Sequence, residues 1–391
     1  MTGRPQPWRV DPLTNPYLGL PDHAFWSRAV SRPAARDAVD PLAGTPFTIG
    51  PRDAVATAGS CFAQHIARHL VAQGFSYLRA ESGGDPEADP HGYDLFSARY
   101  GNIYTCRQLL QTFNRAYSLF EPQDDVWQRP DGRYVDAFRP RILETGHDSP
   151  EAVRRAREPH LQAIRRAFEE CDVFVFTLGL TEGWVSRLDG AAYPLAPGVV
   201  GAGRPAEDYA FHNFTAAETR ADLATFLARL RAVNPRVRVI LTVSPVSLIA
   251  TYTAQHVLPA TVYSKSVLRV AAQEVADGLP GVLYFPSFEI ITGPQARGRY
   301  YEEDLRSVTP EGVAAVMDVF SRHLLRAAEE EDGEAAAAEP FPLPEEPPAG
   351  PPPSDTGAGT VPPSLRQDYA AEYAQNLDII CDEEEIERSL R

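Results

Sequence analysis

Ser60 and Cys61, two small nucleophile-capable residues, stand side by side immediately after Gly59. The apolar run of residues 53–58 ahead of them reads as a strand, and Phe62, Ile66, Leu70 and Val71 behind them recur at helical spacing. A strand, a tight turn and a helix would bring both residues to or beside a helix N-terminus. Unpaired N–H groups and the macrodipole there favour an anion, either a thiolate or a developing oxyanion. A thiolate is the stronger nucleophile, which favours Cys61 over Ser60. The competing reading is steric: both residues are small because nothing larger fits the turn, and free cysteine is often a buried apolar residue.

Gly59-Ser60-Cys61-Phe62-Ala63 spells the motif that names the GSCFA domain family, and the chain resembles that family, a branch of the SGNH/GDSL esterase and acyl-transferase superfamily. Further family-like segments follow in order: Arg99-Tyr100-Gly101-Asn102-Ile103-Tyr104-Thr105, Phe176-Thr177-Leu178-Gly179-Leu180-Thr181-Glu182, Thr242-Val243-Ser244-Pro245-Val246 and Tyr284-Phe285-Pro286-Ser287-Phe288-Glu289-Ile290. The resemblance covers roughly residues 15–325. It implies an esterase or acyl-transferase acting on an acylated small molecule or glycan. In that superfamily a turn supplies the nucleophile, a glycine and an Asn donate to an oxyanion, and Asp-x-x-His supplies the base and its orienter.

Carried onto this chain, the resemblance makes Cys61 or Ser60 the nucleophile and Gly101, Asn102, Gly179, Thr181 and Glu182 candidate oxyanion or substrate contacts. Thr181 stands where the pattern has an amide, and a hydroxyl can donate one hydrogen bond. Gly179 and Glu182 have a plainer reading, as a sharp strand end and a helix cap. Asp304 is the orienter and Ser307 occupies the base position. An alcohol does not accept a proton near neutral pH as imidazole does, so an intact triad by this pattern is absent.

Three explanations compete. Another histidine enters the site, His212 being the best placed because its segment faces the strand ends; or Cys61 acts on the helix field alone; or hydrolysis is lost and the pocket binds a ligand or partner. His65 and His69 read as surface residues, and His323 lies too far along the last helix. Lys265, the only lysine, opens a helix, where it either reaches an anionic substrate group or is a solvated surface charge.

The elements that would hold these residues alternate. Strands are expected at 53–59, 75–79, 172–178, 237–243 and 281–286. Helices are expected after Phe62, at about 106–119, at 151–170 with a break or kink at Pro159, from Thr215 to about Val233, at about 263–278, and from Thr309-Pro310 to about Arg326. Residues 183–214 form a Gly/Pro-rich insertion suited to cover a pocket. The fold class expected is α/β: a three-layer α/β/α sandwich with a five-stranded parallel sheet, SGNH-hydrolase-like, in flavodoxin-like order. Ligands in such sheets bind beyond the carboxyl ends of the strands, where Ser60/Cys61, Gly179 and Ser244 fall.

The chain has 391 residues and a net charge of -16. From Glu329 onward 17 acidic residues face 3 arginines, a balance of -14, so the body carries about -2. No basic stripe for nucleic acid exists, and no apolar run is long enough to span a membrane. Four cysteines (Cys61, Cys106, Cys171, Cys381) have no paired spacing for a disulfide framework or zinc site. The domain plan is an arm at 1–52 anchored by aromatic rings, an α/β domain at 53–327, a disordered Pro/Glu/Ala linker at 328–364 and an acidic tail at 365–391. The tail could dock as a short helix over 377–390, contact a protein partner, or stay solvated. Neither metal nor cofactor is expected, and the location expected is cytoplasmic.

Overall fold

Every residue of β1 (Val55–Gly59) is buried, as a run of small and β-branched residues without polar alternation requires of a strand covered on both faces. The computed structural model of the chain describes residues 15–32, 39–81, 96–326 and 382–389. After β1 come α1 (Ala63–Ala72), α2 (Cys106–Ala116), the short strands β2 (Val126–Gln128) and β3 (Tyr134–Asp136), and α3 (Pro150–Glu170). The chain continues through β4 (Val173–Leu178), β5 (Glu182–Ser186), β6 (Ala192–Tyr193), β7 (Tyr209–Asn213), α4 (Ala216–Val233) and β8 (Arg238–Val243). It ends with α5 (Val257–Gly278), β9 (Val282–Phe285), α6 (Ser287–Thr292), α7 (Pro310–Leu324) and α8 (Glu384–Arg388).

The main sheet is parallel and four-stranded, in the order β1-β4-β8-β9. The side-chain period of two divides it cleanly. Ala56, Ala58, Phe174, Phe176, Val239 and Leu241 pack with residues of α2, α3, α4 and α5. Val55, Val173, Val175 and Ile240 pack with residues of α1, α6 and α7. The expected strand at 75–79 is not a full strand but a single parallel bridge from Tyr77 to Val55, on the outer edge of β1. Two hydrogen bonds, Val55 N to Ser76 O and Leu78 N to Val55 O, are all that hold this segment to the sheet backbone.

The helix boundaries mostly follow their capping signals. Thr215 and Glu218 form the capping box of α4, and Thr309 caps α7 with Pro310 in its first turn. Two expectations are corrected. α3 is one helix across Pro159 rather than two, because Val153, Ile164 and Phe168 are buried on one face and packing outweighs one missing hydrogen bond. α5 begins at Val257 behind a His256 cap, six residues before the expected start, since Pro259 in the first turn has no intrahelical N–H to lose.

The 183–214 insertion is an antiparallel sheet in the order β6-β5-β7, set after the carboxyl end of β4. The N-terminal arm is held through Ile49, fully buried and bridged to Leu325, and Phe47 packs beside it; Tyr17 and Trp26 are exposed rather than anchoring rings. Trp8, the 328–364 linker and Cys381 lie outside the described residues. Of the expected tail helix, only the part within 382–389 is described. Among the described residues no helix is long and apolar enough to cross a membrane.

Candidate functional site

Gly59 ends β1 with φ +135°, and a Cβ there would lie 2.3 Å from the Thr177 carbonyl oxygen. Only glycine lets the chain turn so close to β4, and the Ser60 N–H then donates to that same carbonyl at 3.1 Å. Ala63, Gln64 and His65 donate to the carbonyls of Ser60, Cys61 and Phe62, a tightened turn leading into α1. Ser60 and Cys61 therefore occupy the strand-turn-helix position read from the sequence, but they are buried, 3% and 6% exposed. The Ser60 hydroxyl has no hydrogen-bond partner among the described residues.

The segment carrying Gly101 and Asn102 lies against this turn, since Ile103 N donates to Gly59 O at 2.8 Å. Gly101 has φ +68°, and Asn102 is buried. The Asn102 amide donates from Nδ2 to Asp382 Oδ2 at 3.0 Å, so this candidate oxyanion donor already holds a carboxylate from the C-terminal segment.

Gly179 sits beside Ser60: a Cβ on it would meet Ser60 Cβ at 3.2 Å and Tyr104 at 3.1 Å. Its N–H is not offered to an oxyanion, however. Gly179 N and Leu180 N both donate to Tyr104 O, at 3.0 and 3.2 Å. The next two candidates are also engaged. Thr181 donates its hydroxyl to Asn213 Oδ1 at 2.7 Å and its N–H to Ser264 Oγ at 3.0 Å. Glu182 caps no helix; it opens β5 and accepts from Thr251 Oγ1 at 2.6 Å and Tyr252 N at 3.0 Å, which ties the 251–252 loop to the insertion.

Asp304 and Ser307 are paired as the Asp-x-x-His pattern would pair its members. Ser307 donates its hydroxyl to Asp304 Oδ2 at 2.6 Å and its N–H to Oδ1 at 2.8 Å. The result is an exposed turn with Leu305 at φ +54°, and no imidazole stands in it.

His212 lies opposite Gly183 on β7, and its Nε2 meets Glu218 Oε1 at 2.8 Å, which locks the ring to the capping box of α4. His65 and His69 are partly buried rather than surface residues. His65 packs edge-on against Phe62 at 5.3 Å, and burial, then the charge of Arg68, pull its pKa down to about 4. His69 meets Ser321 Oγ at 2.8 Å. His323 meets Asp40 Oδ2 at 2.7 Å.

Lys265 overturns its reading as a solvated charge. It is 3% exposed and donates from Nζ to Gly179 O at 2.5 Å, which fixes the turn after β4 from behind. Three site residues went unassigned from sequence. Tyr104 accepts at its hydroxyl from Asp382 N at 3.0 Å and Glu383 N at 3.3 Å. Arg306 pairs with Glu383 Oε2 at 3.2 Å and donates from Nε to Ser247 O at 3.0 Å. Arg141 pairs with Glu385 Oε2 at 3.4 Å. Tyr104 and Arg306 both lie inside segments already singled out, the first beside Asn102 and the second between Asp304 and Ser307; only their partners, from 59 to 279 positions away, were invisible.

Cys61, Cys106 and Cys171 are buried, and burial pushes the Cys171 thiol up to about 12. Among the described residues no group of three His, Cys, Asp or Glu side chains is placed to hold a metal ion. A search of curated proteins finds no match. The sequence profile of the GSCFA family matches residues 54–320, from the strand before the turn to the middle of α7, and the chain belongs to the GSCFA family.

Proposed function

We propose that this chain is a ligand-binding protein on an esterase-like frame, its pocket kept and its hydrolytic triad lost. The frame is an SGNH-like three-layer sandwich in which residues 75–79 count as a reduced fifth strand. The observation that carries the reading is the Asp304–Ser307 pair. The carboxylate that would orient a base holds a hydroxyl, and an alcohol cannot take the nucleophile's proton near neutral pH. Two of the histidines near the frame support this: the Nε2 of His212 is taken up by Glu218, and an imidazole at about pKa 4, as at His65, is a weak base. The oxyanion side agrees, because the Gly179 and Leu180 N–H groups are spent on Tyr104.

The alternative is acyl transfer through Cys61 or Ser60 on a small-molecule or glycan ester. One observation favours it: the Asn102 amide holds a carboxylate oxygen as it would hold an oxyanion. The two readings separate in a p-nitrophenyl acetate assay on the wild type, Cys61→Ala and Ser60→Ala. The binding reading expects all three rates within about twofold of buffer, and iodoacetamide labelling of Cys61, followed by peptide mapping, slower than that of the urea-unfolded chain. Turnover at least about tenfold above buffer that disappears in Cys61→Ala would replace it with the acyl-transfer reading.

A further inference from the structure

Residues 382–389 lie on the Asn102–Tyr104 segment that packs against the Gly59–Ser60 turn, and the contacts are those of a recognition site rather than of a solvated tail. Asp382 is 5% exposed. Its carboxylate accepts from Asn102 Nδ2, and its N–H donates to Tyr104 Oη together with that of Glu383. Glu383 pairs with Arg306, both side chains nearly buried at 12% and 11% exposed, and feels the charge of Lys265. Glu385 pairs with Arg141. A buried carboxylate is costly unless donors and cations are waiting for it, and here three cations and an amide converge from four separate parts of the chain.

Resting on the reading of this pocket as a binding site, we propose that its ligand class is an acidic peptide segment with adjacent carboxylates, and that the chain's own residues 382–389 fill it in cis. Asn102 and Tyr104 read the first residue through its carboxylate and backbone, and Arg306, with Lys265 behind it, reads the second. Arg141 reads the fourth. An acidic segment of a partner protein would displace the tail by presenting the same order of charges. A tethered tail competes at high effective concentration, so the apparent affinity for an added peptide falls by the fraction of chains whose groove is open.

The test uses the full-length chain and a synthetic peptide of residues 382–389, with binding read by calorimetry. Full-length Asp382→Lys/Glu383→Lys, which sets like charge against Arg306 and so expels the tail, should bind the peptide at least about tenfold more tightly than the wild type, the ratio for a groove open in about a tenth of chains. Adding Asn102→Ala and Arg306→Gln to that variant should cost at least about tenfold, and restoring Lys at position 306 should recover part of it. Thermal melts of all variants check that each is folded, and a peptide of the same composition in scrambled order should bind more weakly. Equal binding by wild type and tail variant, or binding indifferent to Asn102 and Arg306, would overturn the proposal. So would a wild type that sediments as a dimer while the tail variant is a monomer, since the tail would then fill a neighbour's groove. Ester turnover appearing in the tail variant and abolished by Cys61→Ala would instead overturn the non-hydrolytic reading and leave the peptide result standing.

Discussion

Gly59 is the residue on which the site geometry turns. Its φ of +135° disfavours any side chain, and the added Cβ would meet backbone atoms of Thr177 at 2.3, 2.7 and 2.9 Å, none of which can swing away. Gly59→Ala must therefore separate β1 from β4 at its last register pair, Gly59 with Thr177. The expected cost is about 3 kcal/mol or more, the range of a strained backbone position combined with overpacking. It would be read as a lower urea midpoint at unchanged slope. A loss under about 1 kcal/mol would mean that the turn is more compliant than its close approach implies. Ser60 and Cys61 are poised by this constraint, and their smallness alone does not identify a nucleophile, because the same crowding, with Gly179 packed against Ser60, would select small residues for fit.

Among the elements, the docked segment around α8 has its own pH dependence. Burial pushes the carboxyls of Asp382, Glu383 and Glu384 above their ordinary range. Arg141, Asn102, Arg306, Lys265 and Arg388 pull the other way without cancelling it, while Glu385, Glu182 and Glu387 add to the push. An acid whose pKa is higher docked than free binds more protons when docked. Docking therefore tightens as pH falls through the docked pKa values and loosens as pH rises above them. Trypsin cleavage after Arg388, normalised at each pH to a free peptide of residues 382–391, should accelerate from pH 5 to pH 8. Asp382→Asn/Glu383→Gln should flatten the profile, and cleavage that slows as pH rises would contradict the assignment. The same elements show what a sequence can reveal. β4 and β8 are continuous apolar runs, and α4 and α7 announce their caps, so their places follow from local chemistry. The 75–79 segment looks as strand-like as any, yet pairing at a sheet edge decides it, and only Tyr77 bridges. The motif around Gly59, Asn102 and Gly179 was legible because those residues do cluster. The burial of Lys265 and the seat of Asp382 on Asn102 depend on residues 86 and 280 positions away, and no local pattern encodes them.

At the scale of the whole molecule, pH acts in the opposite sense, through ionised groups that fix α3 to the rest of the domain. Asp136 is buried among Arg157, Arg139 and Arg115; burial pushes its carboxyl up, but the three guanidinium charges win and hold it well below the usual carboxylate range. Beside it, burial raises the Glu81 carboxyl, but hydrogen bonding and charge from His160, with Arg139, bring it down to about 2. His160 itself is pulled to about 4, chiefly by burial. Near neutral pH the ring is therefore uncharged and donates its Nδ1 proton to the ionised Glu81 at 2.7 Å. His160 and His65 are bases with depressed folded pKa values, so the unfolded chain takes up their protons first. Stability is full above about pH 6.5 and falls as pH drops towards 4, each site contributing up to about 3 kcal/mol. Below about pH 4 the carboxyls of Asp136 and Glu81 continue the loss, because they too bind protons more tightly when unfolded. Urea unfolding between pH 7 and pH 4.5 should show a midpoint that falls, because the protons gained on unfolding by His160 and His65, with His69 and His147 lowered by burial in the same sense, outweigh the one held in the fold by Asp222, whose carboxyl burial raises to about 6. His65→Phe, which keeps an aromatic ring against Phe62, should make the fall shallower. A midpoint flat across that interval would mean that the two rings are protonated in the folded chain, and the neutral His160–Glu81 pair proposed to hold α3 would be wrong.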